Sequence, residues 1–562
     1  MKTYKLFNKI VLAVGILFMM SLPACDLDEG SMGAVSATAF YNDIAALDAG
    51  ITGIYGTWHR VAWGVDVLAA YTGADDLATR NESNKWVFLE GDQLNLSGGN
   101  LRTINIWNGY YQVIYECNNF LENANPDGAS EEEIAPYHAD ARFIRGLLYF
   151  ELANIFGDVP LVLATTPDYE IGLTPFKEVM EQAISDFKYV EQWANNTARD
   201  TPAGVAGQEI NGRASKTAAR AYLAKAYMLL SGWPTYENHW DKVESYTRQI
   251  IDMGAYSLLD DYAQNWGNKV PDDWKGTPFT NANARENVSW KGNKESIFAH
   301  HNKVDVWPVT TQSRSYGRFW RDWMDMFVEN HFHAEFPEGY RKNYSFAWDQ
   351  KWRYAGWTAW PYAEGQSYPD HPSMLKFQFG TINASDFKKW SGLAGSDPAP
   401  ETFLGFEHVM NSSNDMPLMR YAEVLLMYAE ACARQNKPGA NPSAVEALNY
   451  VRRRAYGGGY EKMGDIQANL PVEFWKNPEP AVDYPQAGES DLIQAIIDER
   501  AWEFVAEFGG NRWLDLIRTE SLAEALSSRD GSEASLIGDP NDQNRWRAPV
   551  PSTESQYNPN IK

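Results

Sequence analysis

Ala219-Arg220-Ala221-Tyr222-Leu223-Ala224-Lys225-Ala226-Tyr227-Met228-Leu229-Leu230 decides the fold class. Ala219, Leu223, Ala226 and Leu230 step by four, three and four residues, the spacing of one face of an α-helix. Small residues alternate with large ones, so alanines stand where a neighbouring helix can approach closely. Trp240 then opens a second amphipathic turn.

The same pattern recurs outward from this point. Tyr421, Leu425, Tyr428 and Cys432 repeat the stepping, and Ile493, Ile497, Ala501, Phe504 and Phe508 give a stripe that runs to Gly509-Gly510, a natural helix stop. Ser130 before Glu131-Glu132-Glu133 predicts a capping box. Thr174-Pro175 predicts a capping hydroxyl before a proline at the first helical position. Helices come in pairs, at 137–156 with 174–194, 215–231 with 239–253, and 418–435 with 442–455. The pair around Ala219 resembles a tetratricopeptide unit, in a degenerate form with long insertions between pairs. Strand-like alternation is scarce, so the expected class is all-α.

The N-terminus carries an address. Lys2, Lys5 and Lys9 precede an apolar run from Ile10 to Met20, which ends in Leu22-Pro23-Ala24-Cys25. A basic start, a short apolar stretch and small residues before a cleavage point describe an export signal too short to span a bilayer. The final four residues resemble a bacterial lipobox, which implies a signal peptide over 1–24 and a lipid on Cys25. Residues 25–37 then form a polar tether, beginning with Asp26, Asp28 and Glu29. No later stretch approaches ~18 consecutive apolar residues, so the lipid alone is expected to hold the chain to a membrane.

Composition narrows the function. The net charge of −25 gives no reason to expect nucleic acid as a partner. Cys117 and Cys432 lie on helical stripes and read as small buried hydrophobes, with a disulfide between them left open. Tryptophan is unusually frequent: ten of 22 fall within Trp266–Trp360, a segment rich in Asn, Gly, Pro and basic residues with weak helical periodicity. That distribution predicts a looped insertion carrying a surface, about 262–400.

Longer strings carry a family resemblance. They are Ala141-Arg142-Phe143-Ile144-Arg145-Gly146-Leu147-Leu148-Tyr149-Phe150-Glu151-Leu152 leading to Gly157-Asp158-Val159-Pro160, Asp415-Met416-Pro417-Leu418-Met419-Arg420-Tyr421-Ala422-Glu423, Leu448 to Ala455, Asp498-Glu499-Arg500 through Arg512-Trp513-Leu514-Asp515, and Pro549-Val550-Pro551 with Glu554. In this order they resemble the SusD/RagB family from about residue 38 to the end, with the C-terminal motifs over about 410–562. The resemblance implies an all-α SusD-like fold of degenerate tetratricopeptide pairs plus an aromatic-rich variable insertion. It also implies a non-catalytic outer-membrane lipoprotein that binds oligo- or polysaccharide at the cell surface and partners a SusC-like TonB-dependent transporter. Arg142, Arg145, Arg420, Glu423, Glu430, Glu499, Arg500 and Arg512 are assigned to scaffold ion pairs.

Sugar recognition needs flat apolar faces beside hydrogen-bonding groups. By resemblance, the ligand-contacting segments precede the Trp107–Leu121 helix and lie in the mid-chain insertion. The candidates are Trp86, Trp307, Tyr316 and Trp320 as stacking platforms, with Arg80, Asn81 and Arg318 as polar partners. No metalloprotease, serine-hydrolase or phosphate-loop motif is present. His331-Phe332-His333 would set two imidazoles on one side of a strand, without a third ligand nearby. Asp539-Pro540-Asn541-Asp542 offers turn oxygens to a structural calcium but lacks the full loop pattern; no other cofactor is expected. The competing readings are a peptide-binding member of the same family and an all-α helical-barrel glycoside hydrolase.

Overall fold

The computed structural model describes residues 37–61, 64–79, 83–194, 212–259, 262–265, 294–300, 325–347, 371–374, 416–439, 442–456 and 482–561. Its first half is a run of packed helices: α1 (Ile44–Val61), α2 (Gly64–Tyr71), then strand β1 (Leu77–Thr79), α3 (Trp86–Asp92), α4 (Leu101–Asn123), α5 (Glu131–Phe156), α6 (Phe176–Trp193), α7 (Lys216–Leu230) and α8 (Trp240–Met253). Short elements follow in the insertion: β2 (Ser296–His300), β3 (Met326–Val328), α9 (Asn330–Glu335), α10 (Tyr340–Ser345), β4 (Phe346–Ala347) and β5 (Ser373–Met374). The C-terminal part holds β6 (Met416–Arg420), α11 (Tyr421–Arg434), α12 (Ala444–Tyr456), α13 (Leu492–Glu503) and α14 (Asn511–Arg518).

The protein is all-α, with helices α5–α8 and α11–α12 packed as successive neighbours. The alanine-rich face of α7 explains the closeness. Ala218, Ala219, Ala221, Ala224 and Ala226 are all buried, and Tyr222 and Phe143 interleave from α7 and α5 with ring centroids 5.8 Å apart. Ser130 caps α5 with the reciprocal bond to Glu133. At α6 the cap differs from expectation: Pro175 flanks the helix, Asp158 Oδ1 accepts from Phe176 N at 2.8 Å, and Thr174 bridges Val159 instead. Residues 416–420 are also not helical. They pair with β2, Ser296 opposite Arg420, and the helix begins only at Tyr421. The stripe from Ile493 stops at Glu503, earlier than the glycines suggest. Ala506 turns with φ 54° and gives its N–H to Asp76 Oδ2 at 3.0 Å.

Charges within the core are paired. Arg420 donates to Glu295 Oε1 (2.6 Å), Glu503 Oε1 (2.9 Å) and both oxygens of Glu507. Arg454 bonds Glu295 and Glu503, Arg341 bonds Glu499 and Glu503, and Arg452 lies 3.5 Å from Glu499. A second chain runs Arg500–Asp515–Arg518–Glu430–Arg434. Arg145 grips Asp186 with two bonds, Arg142 adds a third, and Lys225 meets Glu423 at 3.0 Å. Among the residues assigned to ion pairs from sequence, all eight make one. Cys117 and Cys432 are buried free thiols, and burial pushes the Cys117 thiol far up.

This arrangement sets a pH profile. Burial would raise Glu503 and Glu430, but Arg454, Arg420 and Arg341 around the first, and Arg518 and Arg434 around the second, hold both down at about 2. Their stabilisation is present above the ordinary carboxylate range and disappears only as pH falls through about 2. Asp76 and Asp92 are instead pushed up by burial to about 6, and Asp140 and Glu151 to about 7. Each of these four favours the fold fully below ~4 and loses that contribution as pH rises through 6–7. The expected thermal midpoint is therefore higher at pH 5 than at pH 8. Calorimetry at constant ionic strength checks this, and an equal or higher midpoint at pH 8 would contradict it.

Candidate ligand-binding face

Trp86 is the first residue of α3 and is 39% exposed, although the helix beneath it is held firmly. Val87 and Phe88 are buried under it. Gly91 lets α3 lie directly on α2, because a Cβ there would come within 2.3 Å of Thr72 Oγ1 and 2.6 Å of Ala69 O. Asn100 does two jobs. Its Oδ1 caps α4 through Arg102 N and Thr103 N, while its Nδ2 bonds Val87 O and Glu90 Oε2 at 2.9 Å each. The aromatic platform thus stands on a fixed base.

The base continues into β1 and the insertion. Asp92 Oδ2 accepts from Thr79 N at 2.9 Å, and its Oδ1 accepts from Arg529 at 2.7 Å. β1 and β3 pair antiparallel, Leu77 opposite Val328 and Thr79 opposite Met326. Antiparallel pairing means the chain leaves β1 at the same end at which it enters β3. Immediately before β3, Asp325 Oδ1 accepts from Lys85 Nζ at 2.5 Å, both side chains being buried. Two segments 240 residues apart in sequence are thereby brought together next to Trp86.

Of the candidate contacts, Trp86 alone falls in the described structure. Arg80, Asn81, Trp307, Tyr316, Arg318, Trp320 and the lipidation candidate Cys25 lie outside the described residues. Sequence reasoning missed the residues that fix the face: Lys85, Asp325, Asp92 and Asn100. Only Asn100 carried a usable signal, an asparagine directly before a helical stripe.

Several alternatives lose their residues to the scaffold. For the glycoside-hydrolase reading, the adjacent carboxylates Asp75 and Asp76 serve the scaffold: Asp75 is gripped by Arg512 through both oxygens, and Asp76 holds Ala506 N. His331-Phe332-His333 lies on helix α9, not a strand, because Glu329 caps Phe332 N at 2.6 Å and starts a turn there. His333 packs edge-on to Phe346 at 5.2 Å, and burial lowers it to about 4. In the calcium candidate, Asp539 Oδ1 takes Asn541 N and Nδ2, and Asp542 Oδ1 takes Asn544 N and Nδ2. No group of three or more His, Cys, Asp or Glu suited to a metal occurs among the described residues. No described helix is long and apolar enough to cross a membrane.

Known proteins match this arrangement along nearly its whole length. Residues 402–562 match the model of the SusD family, and residues 32–228 match a model described as starch-binding and associating with the outer membrane. SusD-like protein P2 of Formosa agariphila is 26% identical, covering 97% of each chain. A SusD-like protein of Bacteroides ovatus is 23% identical over 81% of this chain and 77% of its own. Among solved structures, a SusD homolog from Bacteroides thetaiotaomicron superposes with a TM-score of 0.67 at 19% identity, covering 95% of this chain and 99% of that one. Surface glycan-binding protein A from Bacteroides fluxus gives 0.63 at 19% identity, covering 91% and 96%. With both family models, the curated relatives and the fold in agreement, the chain belongs to the SusD/RagB family.

Proposed function

We propose that this chain is a non-catalytic, cell-surface lipoprotein that captures an oligo- or polysaccharide and delivers it to a SusC-like TonB-dependent transporter in the outer membrane. The carbohydrate-binding character of the family supports the ligand class. The observation that carries the site is the Lys85–Asp325 pair beside exposed Trp86. It joins the segment after β1 to the segment before β3, the two from which the aromatic candidates come. A flat indole on a fixed helix offers its face to the C–H side of a pyranose without an entropic penalty for ordering the platform.

The test is a titration of purified protein with neutral oligosaccharides. Trp86→Ala is expected to weaken binding about ten-fold or more, equivalent to ~1–2 kcal/mol for one lost stacking anchor. Its thermal midpoint should stay near the parent value, since the side chain is exposed. Trp320→Ala, in the segment leading to β3, is expected to act in the same direction. If both variants keep full affinity, the ligand is held elsewhere. Release of reducing ends from a polysaccharide panel would instead make the protein an enzyme.

A further inference from the structure

Arg547 is the anomaly among the arginines packed against the core, and it is half-buried where the others are buried. Arg145, Arg341, Arg420, Arg454, Arg500 and Arg518 each face a carboxylate, but Arg547 has neither a hydrogen bond nor an ion pair among the described residues. Its guanidinium lies 3.9 Å from the ring centre of Phe176 and 4.7 Å from that of Trp233. The backbone of Gly157, at φ 83°, presses against it so closely that a Cβ would sit 2.8 Å from Nη1. Nε is buried with no acceptor. The nearest carboxylate, Asp158, is engaged with Phe176 N and lies outside ion-pair range.

Burial without a counter-charge pulls this guanidinium down to about 9, with Asp158 and Tyr71 opposing only in part. It is still a cation at neutral pH, held by rings and backbone in one orientation. The segment that supplies it is anchored on both sides. Ala548 N bonds Ile155 O at 2.7 Å, and Trp546 packs edge-on to Trp233 at 4.9 Å. The two rings pack against the guanidinium, and of its nitrogens Nε alone is fully buried without a partner, which leaves the Nη edge, a forked pair of donors that suits a planar carboxylate. Partly buried Trp233 offers apolar surface beside the guanidinium, and 56%-exposed Tyr236 belongs to the same short turn.

We propose that Arg547, with Phe176 and Trp233, forms a second carbohydrate subsite, separate from the Trp86 face, that recognises the carboxylate of an acidic sugar. The carboxylate takes the N–H edge and the sugar ring lies toward the Trp233–Tyr236 turn. In a protein of net charge −25 such a site would be local and selective for a single acidic residue in a glycan.

The experiment titrates the full mature protein with D-glucuronate and follows tryptophan fluorescence, with D-glucose, acetate and a Glu-rich peptide as parallel probes. Saturable binding of glucuronate is expected, with no Arg547-dependent response to glucose and weaker binding of acetate. Arg547→Lys keeps the charge but loses the fork, and should weaken glucuronate at least ten-fold. Arg547→Met should abolish the response. A glucose response that survives Arg547→Met belongs to the Trp86 face, which separates failure of this subsite from failure of that one. Equal affinity in the parent and Arg547→Lys would overturn the proposal, as would glucose binding that Arg547→Met removes together with that of glucuronate. Acetate matching glucuronate would remove the sugar from the assignment, and tighter binding of the peptide would make this a contact for a protein.

Discussion

Arg420→Met should cost the fold about 3–5 kcal/mol, the usual consequence of removing one partner from a buried ionic group. The parent side chain is 2% exposed and joins Glu295, Glu503 and Glu507. Methionine fills much of the same volume, so the loss reports charge more than cavity. Its removal leaves four glutamates facing Arg341, Arg452 and Arg454, all of them buried. Against a typical stability of ~5–15 kcal/mol, that is a large fraction. Guanidinium unfolding monitored by circular dichroism gives the number. A loss below ~1 kcal/mol would mean that solvent reaches these groups and screens them. The pair Arg453–Asp483 is the natural control, since both side chains are more than 40% exposed, and Arg453→Met should change stability by less than ~1 kcal/mol.

Cys25→Ala should move the protein from the membrane fraction to the soluble fraction almost completely. The reading rests on Leu22-Pro23-Ala24-Cys25 and the acids that follow. Acyl chains contribute ~0.8 kcal/mol per buried CH₂, so two or more of them hold a protein stably and none hold it at all. No described helix offers a substitute anchor. Fractionation with surface protease accessibility is the measurement. A variant that stays membrane-bound and exposed would show that something other than this cysteine attaches it.

Helices were legible because their signals are local. The Ala219–Leu230 stripe falls on α7 to within a few residues, and Ser130 caps α5 as its spacing requires. Errors arose where a distant residue took over a local role. Asp158 displaced Thr174 as the cap of α6, and Asp76 drew Ala506 into a turn that ended α13 early. The strand at Met416–Arg420 needed β2 as a partner, 120 residues earlier, before its apolar run could stop reading as helix. The candidate face behaves likewise. Trp86 stood out as an aromatic beside polar residues, but the Lys85–Asp325 contact that gives it a neighbourhood joins two charges with no periodicity to mark them.

The buried ionic cluster has one further consequence, for how binding specificity can be exchanged within this scaffold. Glu295 and Arg341 belong to the insertion, whereas Arg420, Arg452, Arg454, Glu499, Glu503 and Glu507 belong to the C-terminal helices and the strand before them. Among the described buried groups the insertion brings one anion and one cation, and the remaining six balance at three of each sign, with half-buried Glu489 joined to Arg452 at the margin. A transplanted recognition module would therefore seat without leaving an odd charge in the interior, provided its two roots carry a carboxylate and a guanidinium or neither. Chimeras cut outside Glu295 and Arg341, so that both travel together, should fold, and chimeras that separate the two should not.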